Sequence, residues 1–243
     1  HRATIEAFGS PTDQLSQWAR VGNIVTNGAF ELIDWKINSL LRVEKRESYW
    51  DADSVELNAI VYYPTENTTT EERMFRDGQL HYTNDVPVDK VAVYQQGSPD
   101  VFKNASYNGS YYYNVNTTRE PFDDIRVRQA LAYSIDRELI SSAVMQGATD
   151  PSTSVVPPGM PGYESPQLIN YDPELARQLL AEAGYPEGEG FPSIDILYNT
   201  HESHQKIAVA IQQMWNKELN VPVTISNQEW KVYLDTTAEL NFD

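Results

Sequence analysis

Hydrophobic and polar positions change their rhythm about halfway along the chain. In the first half, Gly28–Trp35, Ile37–Val43 and Val55–Tyr63 are rich in β-branched and aromatic residues, with turn residues between them. Phe30 and Leu32 alternate in part with Glu31 and Asp34, as in strands with one wet face. Ser10-Pro11-Thr12-Asp13 carries a helix start signal, and that helix ends before Gly22. Thr68 to Thr70, ahead of Glu71, Glu72, Met74 and Phe75, predict a second short helix that stops at Gly78. A brief strand is expected at Leu80–Thr83.

The second half alternates strands and helices. Tyr111–Asn116 reads as a strand, and Arg119-Glu120-Pro121-Phe122 breaks it. Asp123 or Asp124 caps a long helix running to Gly147, with Val127, Leu131, Ile135, Leu139 and Ile140 near the helical period. Pro151, Pro157, Pro158 and Pro161 mark an extended loop. Asp172-Pro173 opens a helix with Leu175, Leu179 and Leu180 on one face and Gly184 as its stop. A strand at Ile194–Tyr198, an amphipathic helix at Glu202–Leu219, a strand at Val221–Ser226 and a helix at Trp230–Leu240 complete the series. The order β-α-loop-α-β-α-β-α predicts an α/β fold class. The shift in composition falls in the polar stretch Asn104–Ser110, so residues 1–108 and 109–243 are expected to be separate domains.

Composition narrows the classes. A chain of 243 residues with 40% hydrophobic side chains can bury one large core or two small ones. No apolar run approaches the roughly 20 residues of a membrane span. Thirty-five acidic and 18 basic side chains give a net charge of −17, which repels phosphate backbones and argues against a nucleic-acid partner. The absence of Cys removes disulfides, thiolate metal sites and cysteine nucleophiles. The chain opens at His1 without a leader pattern and closes on Leu240-Asn241-Phe242-Asp243 without a stop signal, so both ends read as cut.

The candidate chemistry is sparse. His201-Glu202-Ser203-His204 places two His three apart, where zinc proteases use four, and no third ligand is evident. No metal or cofactor is therefore expected, and a polar helix start at the mouth of a cleft is the plainer reading. A Ser/His/Asp triad stays open, because its members need not be adjacent, but no nucleophile-elbow pattern occurs. Gly184, Gly188 and Gly190 sit among Glu187 and Glu189, which repel phosphate. Four Asn-X-Ser/Thr matches, at Asn67, Asn104, Asn108 and Asn116, read as polar loops. The aromatics say more. Tyr112 faces opposite to Tyr111 and Tyr113 on a strand, and Trp230 directly follows one. Residues at strand ends in open α/β sheets line ligand crevices, or else pack as ordinary core.

Four segments, in order, carry a resemblance. "IVTNGAFELIDWKINSLLRVEKRESYWDADSVELNAIVYYP" (24–64), "FDDIRVRQALAYSIDRELI" (122–140), "YDPELARQLLAEAGYPEGEGFPSIDILYNT" (171–200) and "NQEWKVYLDT" (227–236) resemble the family 5 extracellular solute-binding proteins, the peptide-binding components of ABC importers. The resemblance implies a periplasmic-binding-protein-like (type II) two-lobed architecture, here only partial lobes, that closes on a short peptide. Such proteins grip the peptide backbone by hydrogen bonds and leave hydrated room for side chains. It implies that Tyr112 in "SYYYNVN", His204 in "NTHESH" and Trp230 in "NQEW" line the pockets, with Asn199 beside them. Thr237 stands where an Arg is usual, seven residues after the Trp, which weakens any inference about a bound carboxylate. The acidic residue that holds the peptide amine lies beyond Asp243 in the family pattern.

Members of the family are about twice this length, which is ordinary for three lobes. Residues 1–108 would then be part of lobe one and 109–243 part of lobe two. The expected partners are short peptides and ABC importer permease subunits. The expected location is periplasmic or membrane-anchored, outside the cytoplasm, and no reaction is catalysed. A piece of this length is expected to bind peptides weakly or not at all, and its exposed strand edges could favour a homo-dimer. The competing readings are a family member for nickel, haem, an opine or a sugar, and a hydrolase that uses His204.

Overall fold

The structure, a computed structural model, describes all residues except 11, 13–15 and 106. His1–Glu66 and Asn67–Asp243 each form a compact unit.

The first unit is built on local pairing. A short helix that the sequence pattern did not announce, α1 (Arg2–Ala7), is capped by the His1 ring accepting from the Thr4 N–H. The start of the helix expected from Ser10 falls on residues 11 and 13–15, outside the described set, while 17–21 form turns and bends rather than helix. Then β1 (Phe30–Lys36), β2 (Leu40–Lys45) and β3 (Ala59–Tyr62) form an antiparallel sheet in the order β1-β2-β3. Each overlaps one of the three predicted runs, with β1 continuing to Lys36 and β2 to Lys45. The first turn rests on Asn38, whose φ of +57° suits the short polar side chain of Asn. Leu32 pairs with Val43 and Trp35 with Leu41, with a register shift between Leu32 and Asp34 that explains the imperfect alternation. The Arg20 guanidinium sits 5.2 Å from the Trp35 ring centroid. Arg46 donates to the Thr26 carbonyl at 2.5 Å and its hydroxyl at 3.0 Å. None of the described residues of this unit is buried.

The second unit begins with α2 (Thr68–Arg76), whose first turn is capped by Asn67 Oδ1 accepting from Thr70 N–H at 2.7 Å. Buried Glu72 accepts from the Tyr94 hydroxyl at 2.8 Å, which ties α2 to α3 (Val91–Gly97), a helix the pattern missed. Leu80–Thr83 is a loop rather than a strand. Among the described residues no strand pairs with it, and the next residue, Asn84, donates back to Glu71 at 2.9 Å. Tyr111–Asn116 is likewise unpaired with any strand. At its end, Asn116 N–H donates to the Asp243 carbonyl and the Asn116 carbonyl accepts from Arg119 N–H.

The long helix expected to Gly147 is broken. Asp124 caps α4 (Ile125–Tyr133) by accepting from Arg126 N–H at 2.8 Å. The chain then stops at Ser134 and restarts as α5 (Arg137–Leu139), which runs into a π-helical turn at Ile140–Val144. Three side chains make the break. Ser134 donates to the Leu131 carbonyl, Asp136 caps Leu139 N–H, and Arg137 donates to the Ala132 and Ile135 carbonyls. These local bonds compete with the helical ladder.

The remaining elements follow the sequence closely. Asp172 caps α6 (Pro173–Glu182), followed by β4 (Ile194–Asn199), α7 (Glu202–Leu219), β5 (Val223–Gln228) and α8 (Trp230–Ala238). β4 and β5 are parallel, with Ile194 opposite Val223 and Asn199 opposite Gln228, so β4-α7-β5 is a βαβ unit. Ile194, Ile196 and Tyr198 are buried in alternation. They meet Ala208, Ile211, Trp215 and Leu219 of α7, Val127, Ala130 and Leu131 of α4, and Leu180 of α6. The Trp215 indole donates to the Leu131 carbonyl at 2.9 Å, so the ring is buried without an orphan donor. Gly188, at φ +77°, lets its loop press against α7. A Cβ there would meet the Leu219 carbonyl oxygen at 2.4 Å.

Candidate functional site

The two parallel strands end together, and their ends position the candidate side chains. Thr200 N–H donates to the Gln228 carbonyl at 2.8 Å, and Asn227 Nδ2 donates to Thr200 Oγ1 at 2.8 Å. This fastens the β4–α7 turn to the end of β5. In a parallel sheet the strand carboxyl ends open onto the crevice where ligands bind. Asn199 is the last residue of β4, His201 caps α7 in extended conformation, His204 lies in the first turn of α7, and Trp230 opens α8.

Asn199 and His204 are brought together. His204 Nδ1 lies 2.8 Å from Asn199 Oδ1. A carbonyl oxygen only accepts, so Nδ1 carries the proton and Nε2 of the neutral ring is the free acceptor. Tyr111 stacks on the His204 ring at 4.5 Å and 21°, and Tyr113 meets Tyr111 edge-on at 5.6 Å. The His201 ring is 4.7 Å from that of His204, and His201 Nε2 lies 4.0 Å from Asp85 Oδ2. Burial pushes the His204 pKa below the ordinary imidazole value, and the neighbouring His201 adds to this. The Asn199 bond and Asp85 pull the other way. Burial also raises the Tyr111 phenol, which stays neutral at physiological pH.

Tyr112 and Trp230 are placed differently. Tyr112 is 67% exposed, and it is Tyr111 that stacks on His204. Trp230 is 55% exposed and stacks on Tyr233 one turn along α8, at 5.8 Å and 18°. Both present large aromatic surface. The sequence reading passed over Asp85 and the side chain of Tyr111. The triple Tyr was visible, but without strand partners its orientation was not. Asp85 approaches through folding across more than 100 residues, and spacing carries no trace of that.

Beside this cluster lies a groove lined by Tyr113, Val115, Ile196, Tyr233, Phe242 and Asp243. The Tyr113 hydroxyl is buried there without a partner. Glu202 faces elsewhere, accepting from Asn67 Nδ2 at 2.7 Å and Thr68 Oγ1 at 3.0 Å. Among the described residues, no three His, Cys, Asp or Glu side chains converge as a metal site would require.

Strand ends that open onto stacked aromatics, a paired imidazole and an amide make a surface for holding a ligand. The fold is α/β and of the periplasmic-binding-protein class. The solved murein tripeptide binding protein MppA of Escherichia coli superimposes with a TM-score of 0.91 at 31% identity, over 100% of this chain and 47% of that one. Haemophilus influenzae OppA, solved in complex with RPPGFSPFR, gives 0.83 at 27% identity over 100% of this chain and 48% of that one.

The chain belongs to the bacterial extracellular solute-binding proteins, family 5, whose family model (family 5 Middle) matches residues 5–243. It is 34% identical to the periplasmic oligopeptide-binding protein OppA of Escherichia coli K12, over the whole of this chain and 45% of that protein. The chain thus spans about half the length of the curated relatives it matches.

Proposed function

We propose that this chain forms part of an extracytoplasmic receptor that captures short peptides and delivers them to the permease subunits of an ABC importer. Family membership supports the class, and the Haemophilus influenzae relative solved with a nonapeptide supports the ligand. The observation in this chain that carries the reading is the Asn199–His204–Tyr111 assembly at the open ends of β4 and β5. Its amide and imidazole can bond a peptide backbone, while exposed Tyr112 and Trp230 offer flat apolar faces to side chains of varied shape. The shift in composition would assign residues 1–108 to lobe one and 109–243 to lobe two of such a receptor, a boundary that falls inside the second compact unit, Asn67–Asp243. Binding must favour the closed lobes over the open ones, since a ligand without that preference signals nothing to the permease. Thr237 supplies no cation, so a ligand carboxylate is held by other groups.

The receptor reading has no chemical step. Ser203 Oγ lies 2.7 Å from His201 Nδ1, which looks like the start of a triad, but Asp85 is 4.0 Å from the other ring nitrogen. That is beyond hydrogen-bond distance, so Asp85 does not orient the ring as the third member of a triad does.

Calorimetry with tripeptides to pentapeptides on the receptor at the length of its relatives tests the proposal. One-to-one binding is expected, weakened about tenfold or more by Trp230→Ala or His204→Ala, as for a central aromatic or hydrogen-bonding anchor. Binding of nickel, haem, an opine or a sugar with no affinity for any peptide would overturn it.

A further inference from the structure

Residues 67–108 are claimed from two sides. The shift in composition leaves them with lobe one, while the compact unit Asn67–Asp243 takes them with lobe two. One side chain stands at that seam. We propose that Glu202 is the latch of the receptor, a positioning residue that holds α2 against the first turn of α7 while peptide is bound and lets go when the lobes open. The inference rests on the peptide-binding reading above and adds the group that sets how long a captured peptide stays.

The latched segment is first tied to itself. Glu72 of α2 accepts from the Tyr94 hydroxyl of α3, and Glu71 accepts from Asn84 N–H. Among the described residues, every side-chain hydrogen bond between residues 67–97 and residues 109–243 ends on Glu202. Glu202 Oε1 accepts from Asn67 Nδ2 at 2.7 Å, and Oε2 accepts from Thr68 Oγ1 at 3.0 Å, with Thr69 Oγ1 at 3.5 Å. The Asn67 amide is oriented for this contact. Its Oδ1 accepts from Thr70 N–H at 2.7 Å and from the Thr70 hydroxyl at 2.8 Å, which turns the nitrogen toward Glu202. Thr68 is 7% exposed, so its hydroxyl is left unsatisfied there if Glu202 is lost. A second, looser contact lies beside the first, with Asp85 at 4.0 Å from His201 Nε2.

The electrostatics favour a join that can part. Glu202 sits in the first turn of α7 and against the first turn of α2. Each helix N-terminus carries a partial positive charge, so two brought together repel unless an anion lies between them. Once the lobes part, water serves the same carboxylate, amide and hydroxyl, so the net gain on closing is modest, as a latch that must open requires. MppA solved in its unliganded open form superimposes on this chain with a TM-score of 0.56 at 32% identity, against 0.91 for the MppA structure above.

Peptide enters and leaves through the open form, so a latch acts on release and leaves capture nearly untouched. In Glu202→Ala, release is expected to be about tenfold faster, with the association rate changed by less than about twofold. Thr68→Val removes the donor on α2 without altering α7, and is expected to speed release about threefold. The double variant is expected to match Glu202→Ala alone, because both substitutions break one join.

The test uses the full-length receptor. Stopped-flow mixing measures association and release of whichever tripeptide to pentapeptide binds most tightly in calorimetry. Pulsed electron paramagnetic resonance measures the distance between spin labels at Asp77→Cys, at the end of α2, and Gln213→Cys, on α7, both exposed. In the free receptor the longer distances are expected to gain population in both latch variants. Release rates unchanged in both variants, effects that multiply in the double variant, or label distances identical to the wild type overturn the latch and leave the receptor reading standing. Failure of every peptide to bind the wild type overturns both.

Discussion

The sheet of the first unit and the sheet of the second solve different problems. β1, β2 and β3 are joined in sequence order and paired antiparallel, so each strand finds its partner locally. Not one described residue of His1–Glu66 is buried, and Trp35 finds its cover in the Arg20 side chain. β4 and β5 are parallel and cannot meet without the 18-residue crossover helix α7. That helix, with α4 and α6, buries Ile194, Ile196 and Tyr198. An antiparallel sheet tolerates a wet face, whereas a parallel pair is stable only under cover. The candidate ligand groups sit on the covered sheet, where Asn199 and His204 inherit rigid positions from a packed strand and a packed helix.

Substitution in each unit breaks the comparison most sharply. Trp215→Ala removes a 7%-exposed ring and one of the two side-chain bonds to the Leu131 carbonyl, and is expected to cost about 3–5 kcal/mol in urea unfolding. Trp35→Ala is expected to cost under about 1 kcal/mol, since its ring is 41% exposed. Equal losses would show that the exposed sheet carries as much stability as the core. Hydrogen exchange sharpens the contrast without substitution. Amides of β4 and of the Ala208–Leu219 stretch of α7 are expected to exchange on the order of a hundredfold more slowly than those of β1–β3. A comparably small effect is expected on the surface of the covered unit. Asp136→Ala removes the cap on Leu139 N–H and is expected to cost about 1 kcal/mol, read as a shift in the urea midpoint.

What the sequence reveals follows the same division. Period and caps locate α6, α7 and β4 almost to the residue, because Asp172-Pro173, Gly184 and the apolar stripe of α7 act within a turn or two. The same rules fail where a local bond competes with the pattern. Ser134, Asp136 and Arg137 divide a helix whose apolar period runs unbroken. They also fail at Tyr111–Asn116, where strand-forming residues lie without a partner strand. Of the four candidate ligand residues, Asn199 and His204 are joined directly, five residues apart at a strand-to-helix turn. Residue type and resemblance single out Tyr112 and Trp230, and both side chains lie exposed. Asp85 was out of reach of any spacing argument, because its approach to His201 is set by tertiary packing.

Capture without chemistry is the core of the account, and native mass spectrometry of the full-length receptor incubated with a pool of short peptides tests it most directly. The account predicts one-to-one complexes whose released peptides keep their original masses, with the complexes reduced in Trp230→Ala and His204→Ala. Peptides released as shorter fragments, or a receptor that emerges from the pool with no peptide bound, would contradict it.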